Sequence, residues 1–381
     1  MKHLSYLIIG GLLAGCAMQP RDSFLLQGSI EGADGEPIYL AYQLNDTVIV
    51  TDTAIIADGA FSFSGSLPRP YARGTVYMGD AQDYRNPNRL GIILEPADMT
   101  VSIDTARFSS PVITGSQTQA EADSLEAIVL SIREEAAELY AIISDHSRTE
   151  AEREEAQEKL EPFIERMKEA TMEFIKTHPD SYASPMNLQM WMSQLGFEEL
   201  KELYNGLTDK VKQYGDVEEI ETEIAALERT QPGMTAPDFA TIDVNGDSIR
   251  FSEAVQGKVV LLDFWASWCK PCRASMPHVK ELYKKYHDKG FEVFCVSDND
   301  NSPDKWREAI REDGLEDFFH VLRGFRFISM SPYRVDRSND ISSLYAIHYL
   351  PTKYLIDRDF KIVGRVEDEE LDALLKEIFG E

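Results

Sequence analysis

Residues 259–277 read VVLLDFWASWCKPCRASMP. The run over 258–265, apolar after Lys258 except at Asp263, has the length and composition of a strand buried on both faces. Residues 270–287 switch to helical spacing, with Met276, Val279, Leu282, Tyr283 and Tyr286 on one side. Cys269 and Cys272 stand at the junction, two residues apart. Such a pair can clip a metal, staple a loop or exchange electrons, and the residues around it decide between these.

A structural zinc site needs four ligands. Near this pair only His278 and Cys295 are available, and Cys295 lies in the middle of another apolar run, FEVFCVS at 291–297. A staple across two intervening residues closes so small a loop that it removes little unfolded-state entropy. Redox chemistry has a physical reason at each position. Cys269 sits where helix N–H groups and the positive end of the helix dipole favour a thiolate. Lys270 adds a neighbouring cation, and Pro271 is tolerated in a first helical turn and stiffens it. Cys272, one turn further in, is placed to attack a mixed disulfide from behind, and Trp268 is expected to shield one side of the pair.

Outward from the pair, the pattern alternates. The second strand at 291–297 precedes a helix from 304–311, a hairpin of 353–357 with 361–366 around Arg358-Asp359, and a closing helix over 371–379. Strand, helix, strand, hairpin and helix make an α/β sheet with helices on both faces. The stretch WCKPC at 268–272 resembles the active site of thioredoxin-fold proteins, and among them the TlpA-like membrane-attached thiol-disulfide oxidoreductases. APDF at 236–239, FWASWC at 264–269 and LPT at 350–352 resemble further marks of that family. The resemblance covers about 236–381. It implies a cis Pro351 facing the cysteines, with Leu350 and Thr352 beside it as substrate-contact positions. Asp263, six residues before Cys269, matches the buried acid of thioredoxins, a departure from the many TlpA-like proteins with an uncharged residue there. Burial would raise the pKa of that acid and let it move the proton of Cys272. The lysine that partners this acid in thioredoxins has no counterpart within 291–297.

Cys295 reads as a small core hydrophobe. Residues 323–340, RGFRFISMSPYRVDRSND, concentrate arginines and aromatics in an otherwise acidic chain. They read either as a substrate-facing loop beside the cysteines or as a surface loop salt-bridged to the acidic helices.

The chain has 381 residues and a net charge of −28. That acidity opposes binding to phosphate backbones, which excludes nucleic acid as a partner. The opening MKHLSYLIIGGLLAGC reads as a secretory signal over 1–15 that ends at Cys16. Leu-Ala-Gly-Cys resembles the lipobox of bacterial lipoproteins, so Cys16 is the expected lipidation site, with 16–23 as a tether. Acylation there would hold the protein on a membrane of the cell envelope, outside the cytoplasm, where disulfides persist. Residues 24–115 carry short alternating β-branched and aromatic runs split by Gly, Asp, Asn and Pro, as in an antiparallel β domain built as a sandwich. Residues 118–230 are helical, with Leu160, Phe163, Ile164, Met167, Phe174 and Ile175 on one stripe. Acidic residues outnumber basic ones there by 27 to 11, and a solvated face explains this adequately. Pro162 is expected to start or kink a helix, and TQPGMTAP at 230–237 reads as a linker into a domain over 231–381. The layout as a whole resembles Bacteroidota envelope lipoproteins.

Together these features make a thioredoxin-like α/β domain, preceded by a small β domain and an acidic helical segment. The expected activity is thiol-disulfide exchange on proteins, in the direction of reduction, with an upstream thiol donor recycling the pair. No metal or organic cofactor is expected beyond the Cys269–Cys272 disulfide. A scaffold lipoprotein that merely retains the fold is the alternative. A thiol peroxidase is a weaker one, because the Pro-x-x-x-Thr-x-x-Cys setting of peroxiredoxins is absent.

Overall fold

The computed structural model describes residues 22–45, 48–80, 83, 85–108, 110–215, 217–330 and 333–380. Two units divide them, and each has its own core. The signal segment and Cys16 lie outside the described residues.

The first unit holds the described residues up to Ser184, with Asp209–Gly215. Alternation drives its strands: β1 (Ser23–Ile30), β2 (Pro37–Gln43), β3 (Ile49–Ile55), β4 (Ala60–Ser66), β5 (Ala72–Tyr77), β6 (Arg89–Leu94), β7 (Asp98–Ile103) and β8 (Val112–Thr114). They form two four-stranded sheets, β4-β1-β7-β8 and β3-β2-β5-β6. Phe24, Leu26 and Phe63 from one sheet meet Ile38, Leu40 and Ile92 from the other in a single core, as in a sandwich. One residue there must be glycine: a Cβ on Gly28 would fall 1.9 Å from the Phe61 ring. Two details differ from expectation. The sandwich is not wholly antiparallel, because β7 runs parallel to β1, and the short β8 closes the edge of its sheet.

The helices are α1 (Gln117–Glu135), α2 (Ala137–Ser144), α3 (Glu150–Thr177), α4 (Ala183–Trp191), α5 (Phe197–Gly206), α6 (Asp209–Tyr214) and α7 (Glu218–Arg229). The expected helical region over 118–230 is divided between the two units: α1, α2, α3 and α6 belong with the sandwich, α5 and α7 with the second unit. Side chains tie α1 to the sandwich, Gln119 Oε1 accepting from Ile93 N at 2.8 Å and Thr118 Oγ1 donating to Glu95 at 2.6 Å. Thr149 and Glu152 form a reciprocal capping box at the start of α3. Pro162 interrupts nothing. It sits on the exposed side, where the carbonyl it leaves unbonded faces water, and the buried stripe carries the helix through.

The second unit holds Pro185–Thr208 and the described residues from 217 on. Its remaining elements are β9 (Ala240–Ile242), β10 (Ser248–Arg250), α8 (Phe251–Ala254), β11 (Val259–Trp265), α9 (Lys270–Tyr286), β12 (Phe291–Ser297), α10 (Pro303–Asp313), β13 (Phe319–Leu322), β14 (Arg326–Met330), β15 (Tyr333–Asp336), α11 (Ile341–Leu344), β16 (Thr352–Ile356), β17 (Ile362–Arg365) and α12 (Asp368–Phe379). The main sheet has the order β13-β12-β11-β16-β17. β11, β12 and β13 are parallel, and β16 and β17 run against them. Every residue of β11 and β12 is buried, as strands covered on both faces require. Val259, Leu261 and Trp265 pack toward α9, α10 and α12, whereas Val260, Leu262 and Phe264 pack toward Phe251, Ile341 and Tyr345 on the other face. This is a thioredoxin-like fold.

The expected linker at 230–237 is part of this unit. Gly233 N bonds Ile362 O, Ile362 N bonds Met234 O and Ala236 N bonds Phe360 O, which extends the pairing beyond β17. Glycine and proline end the helix there, as the sequence implies, but the backbone donors they release find partners on the sheet.

Candidate active site

β11 delivers the chain into the turn that carries the cysteines. Asn299, buried in the loop after β12, fixes that turn. Its Oδ1 accepts from Ser267 N at 2.8 Å, and its Nδ2 donates to the hydroxyls of Ser267 and Ser302 at 2.8 and 2.9 Å. The sequence marks Asn299 only as one polar residue in a loop, so nothing singles it out.

Cys269 is the N-cap of α9, and its Sγ accepts from Cys272 N at 3.2 Å. Cys269 and Cys272 are joined in a disulfide with their Cα atoms 5.3 Å apart, and they are 4% and 1% exposed. A sulfur held at the first turn of a helix, on a backbone N–H, is poised to leave or attack as a thiolate. Lys270 and Pro271 are exposed on that first turn. Trp268 is 63% exposed, and its indole N–H reaches Asp298 O at 3.3 Å.

The Leu350–Pro351 peptide is cis. Leu350 is half-buried and packs beside both cores. Thr352 follows the cis proline and begins β16. Its side chain is buried, donating to Tyr349 O and accepting from Arg365, both at 2.8 Å. The exposed neighbour is Tyr349, under the Arg365 guanidinium at 4.4 Å. His348, one residue earlier, stands 2.7 Å from Glu223 of α7.

Asp263 is 1% exposed, and neither carboxylate oxygen has a hydrogen-bond partner among the described residues. It shares its face of β11 with Leu261 and Trp265. Burial raises its pKa to about 7, opposed by the charge of Lys353 and reinforced by that of Asp368. Lys353 is therefore the lysine that 291–297 lacks. It comes from β16, directly opposite Asp263 in the ladder, and corrects the expectation of no counterpart. A lysine in a strand whose every residue is buried is the sequence signal that could have found it. Its ammonium donates to Ser275 Oγ at 3.1 Å and to Asp368, and Ser275 donates to the Cys272 carbonyl at 3.0 Å.

Cys295 is free and fully buried in the same core. Burial, then the Asp263 charge, pushes its thiol well above the usual range. The arginine-rich stretch carries the β14–β15 hairpin, and the ion pairs of Arg323 and Arg326 are local. Arg323 grips Asp340 with two bonds of 2.9 and 2.6 Å and reaches Asp298 at 3.2 Å, and Arg326 pairs with Asp336. Among the described residues, no group of three His, Cys, Asp or Glu is placed to hold a metal.

The AhpC/TSA family model matches residues 232–365, and a domain of unknown function, DUF4369, matches residues 24–122. The thiol-disulfide oxidoreductase ResA of Bacillus anthracis is 34% identical over 158 residues, covering 40% of this chain and 82% of the relative. The chain belongs to the ResA family of thiol-disulfide oxidoreductases. ResA of Geobacillus kaustophilus is likewise 34% identical over 150 residues, 38% of this chain and 77% of that one. Two solved structures are also similar to this oxidoreductase. The thioredoxin domain of a thiol-disulfide oxidoreductase from Bacteroides vulgatus is 29% identical, with a TM-score of 0.33 and coverage of 39% of this chain and 98% of that one. A thiol:disulfide interchange protein DsbE from Chlorobium tepidum, named as putative in its description, is 31% identical, with a TM-score of 0.32 and coverage of 39% and 96%.

Proposed function

We propose that this oxidoreductase reduces disulfides in other proteins from a lipid anchor on the cell envelope. The observation that carries the reading is Cys269 as the N-cap of α9, its sulfur on the Cys272 N–H and bonded to Cys272. In the reduced enzyme the Cys269 thiolate attacks a substrate sulfur and expels the other substrate sulfur as a thiolate. Cys272, deprotonated with Asp263 taking the proton, then attacks Cys269. The second substrate thiolate leaves and the Cys269–Cys272 disulfide remains. Two electrons pass to the substrate, so an upstream dithiol must reduce the pair again. No metal or organic group takes part.

The signal and lipobox of residues 1–16 support the envelope location. No helix among the described residues is long and apolar enough to cross a membrane. Cys16 acylation would then supply the attachment. Trp268, exposed beside Cys269 in the chain, and Leu350, which packs against the core that holds both cysteines, would offer a substrate segment apolar contacts.

The reduction potential of the pair tests the direction. A value near the thioredoxin figure of about −270 mV supports a reductase, and one near about −120 mV makes the protein an oxidant. Cys16→Ser tests the anchor: loss from the membrane fraction supports it, and unchanged membrane association removes it.

A further inference from the structure

We propose that Asp368, on the first turn of α12, is a positioning residue for disulfide exchange: it holds the Lys353 ammonium away from Asp263, leaving that carboxyl group without a bonded counter-ion. The inference rests on the exchange reading above and adds a residue to it.

The geometry is set by three strands. Asp263 on β11 is paired in register with Cys295 on β12 and with Lys353 on β16. Side chains directly opposite in a ladder stand about 5 Å apart at Cβ, so a lysine at that position can reach the acid. It bonds elsewhere. Lys353, almost wholly buried, donates to Ser275 of α9 and to Asp368 of α12, while both Asp263 oxygens lack a bond. A buried ammonium placed between two carboxylates goes to the one that keeps its charge at lower cost. Asp368 is 39% exposed on its side chain, and water stabilises its charge as it cannot stabilise that of Asp263.

The other charged groups around Asp263 do not compete for this role. From β12 comes Cys295, whose thiol is held neutral. From β17, Arg365 turns to Thr352. From α9 come Cys272, in the disulfide, and His278, which stands 2.9 Å from Asp372 of α12. Glu367, Glu369 and Glu370 flank Asp368 and are exposed. Lys353 and Asp368 are thus the two charges that act on Asp263, in opposite senses.

Opposite senses give the test. The Asp263 titration is read in the full chain as the carboxyl carbon-13 signal that disappears in Asp263→Asn. Asp368→Asn frees Lys353 to turn to Asp263, and the midpoint should fall by about one pH unit, the size of shift a nearby charge produces. Lys353→Met should raise it by a similar amount. The rate at which reduced protein is oxidised by oxidised glutathione, followed against pH, should move its limb in the same directions. Asp263→Asn/Asp368→Asn should match Asp263→Asn alone. A midpoint unmoved in Asp368→Asn overturns the proposal, whatever its effect on rate or stability. Midpoints that move while neither these variants nor Asp263→Asn alters the rate profile overturn the role of Asp263 in exchange and leave the charge placement standing.

Discussion

Lys353 stands directly opposite Asp263 in the β11–β16 ladder, yet its ammonium bonds Ser275 and Asp368 and leaves the carboxyl bare. The acid is thus buried with a charge near it but no bond to it. That explains why burial dominates and its pKa lies at about 7 rather than in the carboxylate range.

A raised folded-state pKa has a cost at high pH. The folded state holds the Asp263 proton more tightly than the unfolded chain, whose carboxyl titrates near about 3.9. The stability this contributes is complete below about pH 4 and is lost as pH rises through about 7. Asp263→Asn, which cannot ionise, should therefore gain on the parent between pH 4 and pH 8. The gain is on the order of 4 kcal/mol at about 1.4 kcal/mol per tenfold in proton affinity. Urea midpoints at both pH values read it directly. A gap that stays constant would show that Asp263 titrates normally.

Cys295 shares the core with the disulfide but lacks access to it from solvent. Cys295→Ala should leave exchange rates unchanged and cost about 1 kcal/mol, as for other one-atom core deletions. Peptide mapping after oxidation should find Cys295 as a thiol, and a Cys295 disulfide in native protein would contradict the assignment.

The two hairpin arginines should separate. Arg323→Ala takes the two-bond cation from the Asp340 carboxylate, whose side chain is fully buried, leaving Ser342 N, Ser343 Oγ and the more distant Arg337. Burial raises the pKa of that carboxyl group, but Arg323 keeps it low. A loss of about 3 kcal/mol follows. Arg326 is 75% exposed in its pair with Asp336, so Arg326→Ala should cost under about 1 kcal/mol. Thermal unfolding of the two variants, compared with turnover on a protein disulfide, distinguishes a stability role from substrate contact.

What the sequence makes legible here is what is local. Cys269, Lys270, Pro271 and Cys272 are contiguous, and Asp263 lies an even number of residues from Trp265 on a strand of period two, so its face follows from the pattern. Lys353 and Asp368 reach the same place only through the register of β16 and the docking of α12, which no local spacing encodes. The thioredoxin lysine is expected on β12, one neighbour of β11, and stands on the other, β16. The sandwich has the same lesson: alternation along β1 and β7 says which side chains point inward, but both parallel and antiparallel pairing satisfy it. The helical stripe from Leu160 to Ile175 likewise shows that α3 buries a face without naming the unit it packs in.

The most direct test is to trap the exchange in progress. Reduced Cys272→Ser in the full chain, mixed with a protein disulfide, should accumulate a mixed disulfide that peptide mapping places on Cys269, while Cys269→Ser should form none. An adduct on Cys295, or equal trapping by Cys269→Ser through Cys272, would contradict the assignment of Cys269 as the attacking sulfur.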